Sequence, residues 1–252
     1  MGQSQSGLAR LRKGTPTAGL RGVIPELPSQ RLMKRTGVVL RRLVTPEGTA
    51  SVLLFLRSSG PLWVRLPGAS RGSVRFGGAA EPLVWGAYQL QRTRTDVYLR
   101  EAEVKEDFWK LRSMPNACRQ ALHWCSLLSR NLLRGFPYDS LLPLLYWSTA
   151  ALVGGAPPGV VSVRFLWRWL DDWGMAPELE RCSLCGDPAG KVGLTDAGPV
   201  CPACGAETAA DIAGFGGYVR SPSAQPPEEL AGRGNDAEKI AEWMEHFFEL
   251  NR

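Results

Sequence analysis

The chain has 252 residues, 44% hydrophobic and 21% charged, with a formal net charge of +6. Those proportions suit a folded protein with a real core and exclude a disordered chain. No apolar run reaches the roughly 18 residues that a membrane-spanning helix needs, and Met1 to Gly22 lacks the apolar stretch of a secretory signal. The expected location is therefore the cytoplasm, where thiols stay reduced and available to a metal.

Charge is unevenly spread. Residues 1–80 hold thirteen Lys and Arg against only Glu26 and Glu47, while the other 172 residues hold seventeen against twenty-two Asp and Glu. A basic N-terminal third joined to a mildly acidic remainder suits a polyanion-binding module attached to another body. A general arginine bias is the competing explanation, and the acidic remainder argues against it.

Met1 to Ser29 is rich in Gly, Ser, Thr and Pro with scattered Arg, and residues 1–33 read as a basic extension. Met33, immediately before the first strand, is a candidate alternative start of translation. From Thr36 the texture turns β-like. Gly37–Val44, Ala50–Leu56, Leu62–Leu66, Leu83–Leu90 and Val97–Val104 are expected strands, separated by turn signals such as Thr45-Pro-Glu-Gly48 and Ser58-Ser-Gly-Pro61. Five short strands with strong positive charge fit an oligonucleotide-binding (OB-fold) β-barrel over residues 34–106.

The period then becomes helical, and residues 107–180 are expected to form a helical domain. Ala117 to Leu133 places Leu122, Cys125 (or Ser126), Leu128 and Leu132 near one face. Ser140 to Val153 is apolar nearly all round, which predicts a helix buried on every side. Val160 to Trp173 adds Val161, Phe165, Leu166, Trp169 and Leu170 as core. Residues 206–252 should complete the helical domain, with a last amphipathic helix over Asp236 to Leu250 and Ile240, Trp243, Phe247 and Leu250 on its stripe. The fold class is thus α+β: an N-terminal barrel followed by a helical bundle, with an insert at 181–205.

That insert holds the strongest motif. Cys182-Ser-Leu-Cys185 and Cys201-Pro-Ala-Cys204 are separated by fifteen residues, and Gly186 and Gly205 follow the two pairs. Two such turns form a zinc site of the ribbon or knuckle type. The glycines let backbone N–H groups turn toward the sulfurs. A set of four thiolates leaves no open position for water, so one structural zinc ion is expected. Two disulfides, or four unrelated core thiols, are the alternatives. Cys118 and Cys125, outside the cluster, read as small core residues.

Catalytic motifs are missing. There is no Gly-x-x-x-x-Gly-Lys-Ser/Thr loop, no Gly-x-Ser-x-Gly and no His-Glu-x-x-His. The two histidines, His123 and His246, lie far apart on predicted helices. Asp171 and Asp172 sit together at a helix end and read as a solvated terminus. The sequence favours a binding protein over an enzyme.

The order of these features resembles a known family. The basic strand Gly37-Val-Val-Leu-Arg-Arg42, the loop Pro67-Gly-Ala-Ser-Arg-Gly-Ser-Val-Arg-Phe-Gly-Gly78 followed by Glu81-Pro-Leu83, a helical part and a four-cysteine insert are together similar to the bacterial RecO recombination mediators. Ser73-Val74-Arg75 departs from the family's basic-serine-arginine run, and the extension carrying Arg10, Arg12, Lys13 and Arg21 lies outside its pattern. The resemblance implies binding of single- and double-stranded DNA, annealing of complementary strands and action with RecR. It also implies help in loading RecA onto DNA coated by single-strand-binding protein (SSB), and a nucleoid-associated place in the cytoplasm. The C-terminal tail of SSB is an implied ligand of the helical part, with Arg112, Arg119, Arg130 and Arg134 as candidate rim residues.

On the residues themselves, Arg41, Arg42, Arg65, Arg71 and Arg75 are the candidate phosphate contacts, with Lys34 and Arg35 at the entrance. Trp63 and Phe76 are candidate stacking platforms for bases; barrel core is the alternative for Trp63. Three rival functions remain open: an RNA-binding zinc-ribbon factor, a metal-dependent nuclease using Asp171, Asp172 and Asp196, and a scaffold whose basic arm contacts acidic proteins.

Overall fold

Strand β1 (Leu32–Val44) turns into β2 (Ala50–Leu56), which turns into β3 (Gly60–Leu66); after a break come β4 (Trp85–Arg92) and β5 (Val97–Glu106). In the computed structural model, which describes residues 32–46, 48–67 and 76–250, these five strands close into a barrel in the order β1-β2-β3-β5-β4. Outside the described residues lie the first 31 positions of the basic extension, Glu47, loop positions 68–75 with Arg71 and Arg75, the side chains of Glu249 and Leu250, and residues 251–252. Barrel neighbours are antiparallel except β3 and β5, which meet in parallel at Arg65 and Tyr98. β1 begins earlier than its apolar run suggests, because its pairing with β4 runs from Leu32 opposite Gln91 to Val38 opposite Trp85.

Apart from Ser51, Ala50–Leu56 is apolar throughout, and the reason is burial on both faces. Val52, Leu54 and Leu56 fill the barrel with Val39, Val64, Leu66, Val84, Tyr88, Leu90 and Leu99. Leu53 and Phe55 point outward with Val38, Leu40 and Leu83 into the core of the helical part. A strand buried on both sides loses the alternation of a half-exposed one. Barrel and helices therefore share a wall of side chains.

The helices are α1 (Pro115–Asn131), α2 (Leu141–Val153), α3 (Pro158–Asp172), α4 (Phe215–Arg220) and α5 (Gly234–Leu250). α3 is central and packs against α1, α2, α4 and α5. Its Val161, Phe165, Leu166, Trp169 and Leu170 are wholly buried, as the pattern predicts. Trp124 of α1 stacks on Phe165 with ring centroids 4.7 Å apart, and Trp169 meets Phe248 of α5 at 4.4 Å. Ser162 joins α1 to α3, its hydroxyl accepting hydrogen bonds from Trp124 Nε1 at 3.1 Å and Gln120 Nε2 at 3.2 Å.

Three helix faces differ from the expected ones. On α1, Cys125 and Leu128, and Leu132 just past its end, are buried as expected, but Leu122 is 41% exposed and the rest of the buried row is Ala117, Ala121, Trp124 and Leu127. Trp124 sets that face, since its ring buries more area than any leucine. α2 is not buried on every side: Leu141, Leu142, Leu145 and Leu152 face inward, while Trp147 stands out in solvent. An all-apolar helix does not reveal which of its sides has neighbours. On α5 the buried stripe is Ala237, Ile240, Ala241, Met244 and Phe248, with Trp243 and Phe247 half-buried beside it.

The barrel is locked to the helices at the turn between β2 and β3. Gly60 has a φ of +66°, and a Cβ there would collide with the carbonyl oxygen of Phe136. Gly135 donates its N–H to Pro61 O at 3.0 Å, and Asp139 Oδ1 accepts from Ser58 N at 2.6 Å. No helix among the described residues is long and apolar enough to cross a membrane.

Candidate metal centre and nucleic-acid interface

Between α3 and α4 the chain makes a small three-stranded sheet of β6 (Lys191–Thr195), β7 (Gly198–Val200) and β8 (Ala210–Asp211), with β6 in the middle. One cysteine pair precedes the β6–β7 hairpin and the other follows it. The hairpin folds the fifteen intervening residues back, so both pairs meet at its open end. Gly186 and Gly205 have φ of +78° and +89°, the left-handed conformation that a turn after each pair requires.

All four Sγ atoms lie within 4.8 Å of one another. Cys182 and Cys204 are 3.9 Å apart, and Cys185 and Cys201 are 3.8 Å apart. A tetrahedral ion with metal–sulfur bonds of about 2.3 Å holds its sulfurs about 3.8 Å from each other. The donors are thus set for a metal ion, and all six cysteines are free thiols. Backbone N–H groups point at the sulfur of Cys182, from Cys201 at 3.3 Å and Leu184 at 3.4 Å. The N–H of Cys201, then that of Cys185, hold the Cys182 thiol down at about 6. Hydrogen bonding to the sulfurs of Cys201 and Cys185 pushes the Cys204 thiol up to about 12. Thiols that share protons in this way exchange them for a single divalent cation, so metal uptake releases protons.

The sheet is docked on α5. Trp243 Nε1 donates to Thr195 O at 2.9 Å, Lys239 Nζ to Ala209 O at 2.9 Å, and Asp236 Oδ1 accepts from Asp211 N at 3.2 Å. Val192, Ala210 and Ile212 enter the helical core. Cys118 and Cys125 pack in that same core, where burial pushes the Cys125 thiol up to about 12.

Among the described residues, no other cluster of three or more His, Cys, Asp or Glu could hold a metal. Asp171, Asp172 and Asp196 are exposed, and Asp172 accepts from Ser140 Oγ at 3.0 Å. The nuclease alternative therefore finds no centre built from these carboxylates. His123 pairs through Nε2 with Glu245 Oε1 at 2.8 Å across α1 and α5, and His246 is exposed.

The candidate phosphate contacts on the barrel are exposed or half-buried, and three have acidic partners. Lys34 pairs with Glu103 at 3.4 Å, Arg65 Nε with Asp96 at 2.7 Å, and Arg42 with Glu81. Arg35 is half-buried and donates to Lys34 O at 3.1 Å, while Arg41 is exposed. Register brings Arg42 and Arg65 to one end of the barrel, since Leu43 and Arg65 both lie opposite Ser51. Leu66, opposite Ala50, lies at that same end. Lys34 and Arg35 lie apart, along the seam of β1 and β4.

The two aromatic candidates take part in packing. Phe76 is half-buried against the barrel interior. Trp63 does not fill the barrel; it packs against the helical core, with the guanidinium of Arg134 6.0 Å from its ring centroid. Arg112, Arg119, Arg130 and Arg134 are all exposed, and from Arg119 to Arg130 they run along α1 for about 16 Å. The ion pairs escaped the sequence because Glu81, Asp96 and Glu103 come from elements 31 to 69 residues away.

Comparison with known proteins adds a lineage. The family model for the recombination protein O C terminal matches residues 112–214, from the start of the helical part through the cysteine sheet. A DNA repair protein RecO of Exiguobacterium sibiricum is 31% identical over 153 residues, 61% of each chain, so the match spans about three fifths of that relative's length. A protein of the same name from Anaeromyxobacter dehalogenans is 33% identical over 180 residues, covering 68% of this chain and 70% of the relative. One from Bacillus pumilus is 26% identical over 175 residues, 69% of this chain and 68% of the relative. The chain belongs to the RecO family.

Proposed function

We propose that this protein is a DNA-binding recombination mediator in DNA repair. It anneals complementary single strands and, with RecR, assists loading of RecA onto SSB-coated DNA. Membership of the RecO family is the observation that carries this reading. The barrel supports it: the strand order β1-β2-β3-β5-β4 with a parallel β3–β5 contact suits an OB-fold, a barrel type that binds oligonucleotides. Residues 34–106 are then the DNA-binding domain, 107–180 and 206–252 the helical domain, 181–205 the zinc insert and 1–33 a basic extension.

The barrel end acts electrostatically. Arg41, Arg42, Arg65 and the segment with Arg71 and Arg75 neutralise phosphates, Lys34 and Arg35 extend the track, and each neutralised phosphate releases a condensed counterion. An exposed ion pair such as Arg42–Glu81 is worth little, so phosphate displaces the carboxylate at small cost. Annealing needs no bond chemistry: cations screen two polyanions while base pairing drives the union. Phe76 and Trp63, both half-buried, are the barrel's stacking platforms for bases. The four cysteines hold a single zinc ion, whose role is to pin the sheet and, through it, α5. The SSB tail, acidic and apolar-ended, docks on the helical part beside the arginines of α1.

Annealing of two bare complementary oligonucleotides, without ATP and across a range of salt, tests this function. Acceleration that fades as salt rises supports it; no acceleration by folded, metal-loaded protein refutes it.

A further inference from the structure

Two tryptophans are left standing in solvent: Trp109, on the 3-10 turn Trp109–Ser113, is 63% exposed, and Trp147 of α2 is 61% exposed. The 3-10 turn packs against α2. A row of rings runs from Trp147 to Phe108, the residue before Trp109. Trp147 meets Tyr146 edge-on at 5.2 Å, Tyr146 meets Phe108 at 5.3 Å, and Trp109 is the next residue in the chain. Tyr146 also meets Trp85 of β4 edge-on at 5.2 Å, which fixes the row at the junction of barrel and helices.

The local backbone turns Trp109 outward. Phe108 has a φ of +47°, uncommon for a bulky residue, and is buried while its neighbour is not. The acidic side chains of the turn are engaged in holding this shape. Glu106 Oε1 accepts the N–H groups of Phe108 at 2.8 Å and Asp107 at 3.0 Å, and Asp107 Oδ1 accepts that of Trp109 at 3.1 Å. Lys110 and Arg112 follow in the same turn, exposed and, among the described residues, without an acidic partner. α2 carries no charged residue, so nothing on its outer face repels a phosphate.

We propose that Trp109 and Trp147 form a stacking site for unpaired bases, with Lys110 and Arg112 taking the adjoining phosphates. Indole faces offered next to unpaired cations match single-stranded nucleic acid, whose every base has a π face and every link a negative charge. A duplex keeps its bases stacked internally and cannot use the indoles. The inference rests on the DNA-binding reading and adds to it a second binding surface, beyond the barrel, that selects single strands.

The test uses the full chain, fluorescence anisotropy, labelled oligothymidine and a blunt duplex of the same length. Changing Trp109→Ala together with Trp147→Ala, which removes two stacking partners, should weaken oligothymidine binding at least roughly 30-fold. It should leave the duplex affinity, and the slope of log K against log salt, unchanged. Trp109→Phe with Trp147→Phe should recover most of the loss, which separates stacking from misfolding; Lys110→Glu with Arg112→Glu should flatten the salt slope. Unchanged oligothymidine binding in the alanine variant, or an equal loss on both DNA forms, overturns the proposal. So does a variant that binds both DNA forms normally and loses a protein partner, which assigns the patch to protein docking. Wild-type protein that binds neither DNA form overturns the DNA-binding reading itself, a failure distinct from these.

Discussion

Replacing two acids of the barrel, Glu81→Gln and Asp96→Asn, should make the protein bind single-stranded DNA more tightly. Glu81 pairs with Arg42 and Asp96 with Arg65, and the four side chains are 37%, 27%, 35% and 50% exposed in the order Glu81, Asp96, Arg42, Arg65. Pairs this open to water are worth about 0.2–1 kcal/mol each. That is the amount a phosphate must displace to reach each guanidinium. Freeing both arginines therefore gains about 0.4–2 kcal/mol, a tightening of roughly 2- to 30-fold. The amides keep the shape of the carboxylates, so the Thr93–Asp96 turn stays intact. Fluorescence anisotropy with oligothymidine measures the effect. A control with Glu207→Gln and Glu242→Gln, exposed acids outside the barrel, corrects for the change in net charge. Affinity that is unchanged, or raised no more than by the control, refutes the placing of phosphates at Arg42 and Arg65.

The opposite change, Arg42→Glu with Arg65→Glu, should lower the slope of log K against log salt by about 0.7 for each phosphate that is no longer neutralised; titrations at several salt concentrations check it. Phe55→Ala removes a wholly buried ring from the wall between barrel and helices and should cost about 3–5 kcal/mol; far-ultraviolet circular dichroism and tryptophan fluorescence should lose their signals in one coincident transition. Cys182→Ala, or a strong chelator, should raise amide hydrogen exchange through residues 182–212 and the facing side of α5 while the barrel stays protected; unchanged exchange contradicts the structural role of the metal. Acidification should expel the metal as protons compete for the thiolates, and zinc-release titrations with a chromogenic chelator check it.

How far these features could be read beforehand depends on what fixes each one. β2 has the ends its sequence predicts, Ala50 and Leu56, because a doubly buried strand between turn residues leaves no other solution. α3 is similarly plain, its buried faces being apolar apart from Ser162 and Arg164. The cysteine centre follows from spacing and two glycines alone. α4 escaped because six residues are too few to display a helical period. Leu122 and Trp147 escaped because periodicity marks an apolar side without naming its partner; it is Trp124 and Leu145 that enter the shared core around α3. The ion pairs of Arg42, Arg65 and Lys34 are creatures of barrel closure, which sets acids beside cations that are distant in the chain.

The central claim is that this protein brings complementary strands together on DNA already occupied by SSB. Two complementary oligonucleotides, each coated with SSB, are mixed with and without the full-length, metal-loaded protein, in the absence of ATP. Annealing that is accelerated by the protein, and progressively lost as salt is added, is the predicted result. Annealing no faster than SSB-coated strands alone, with the protein folded and its thiols metal-bound, contradicts the account.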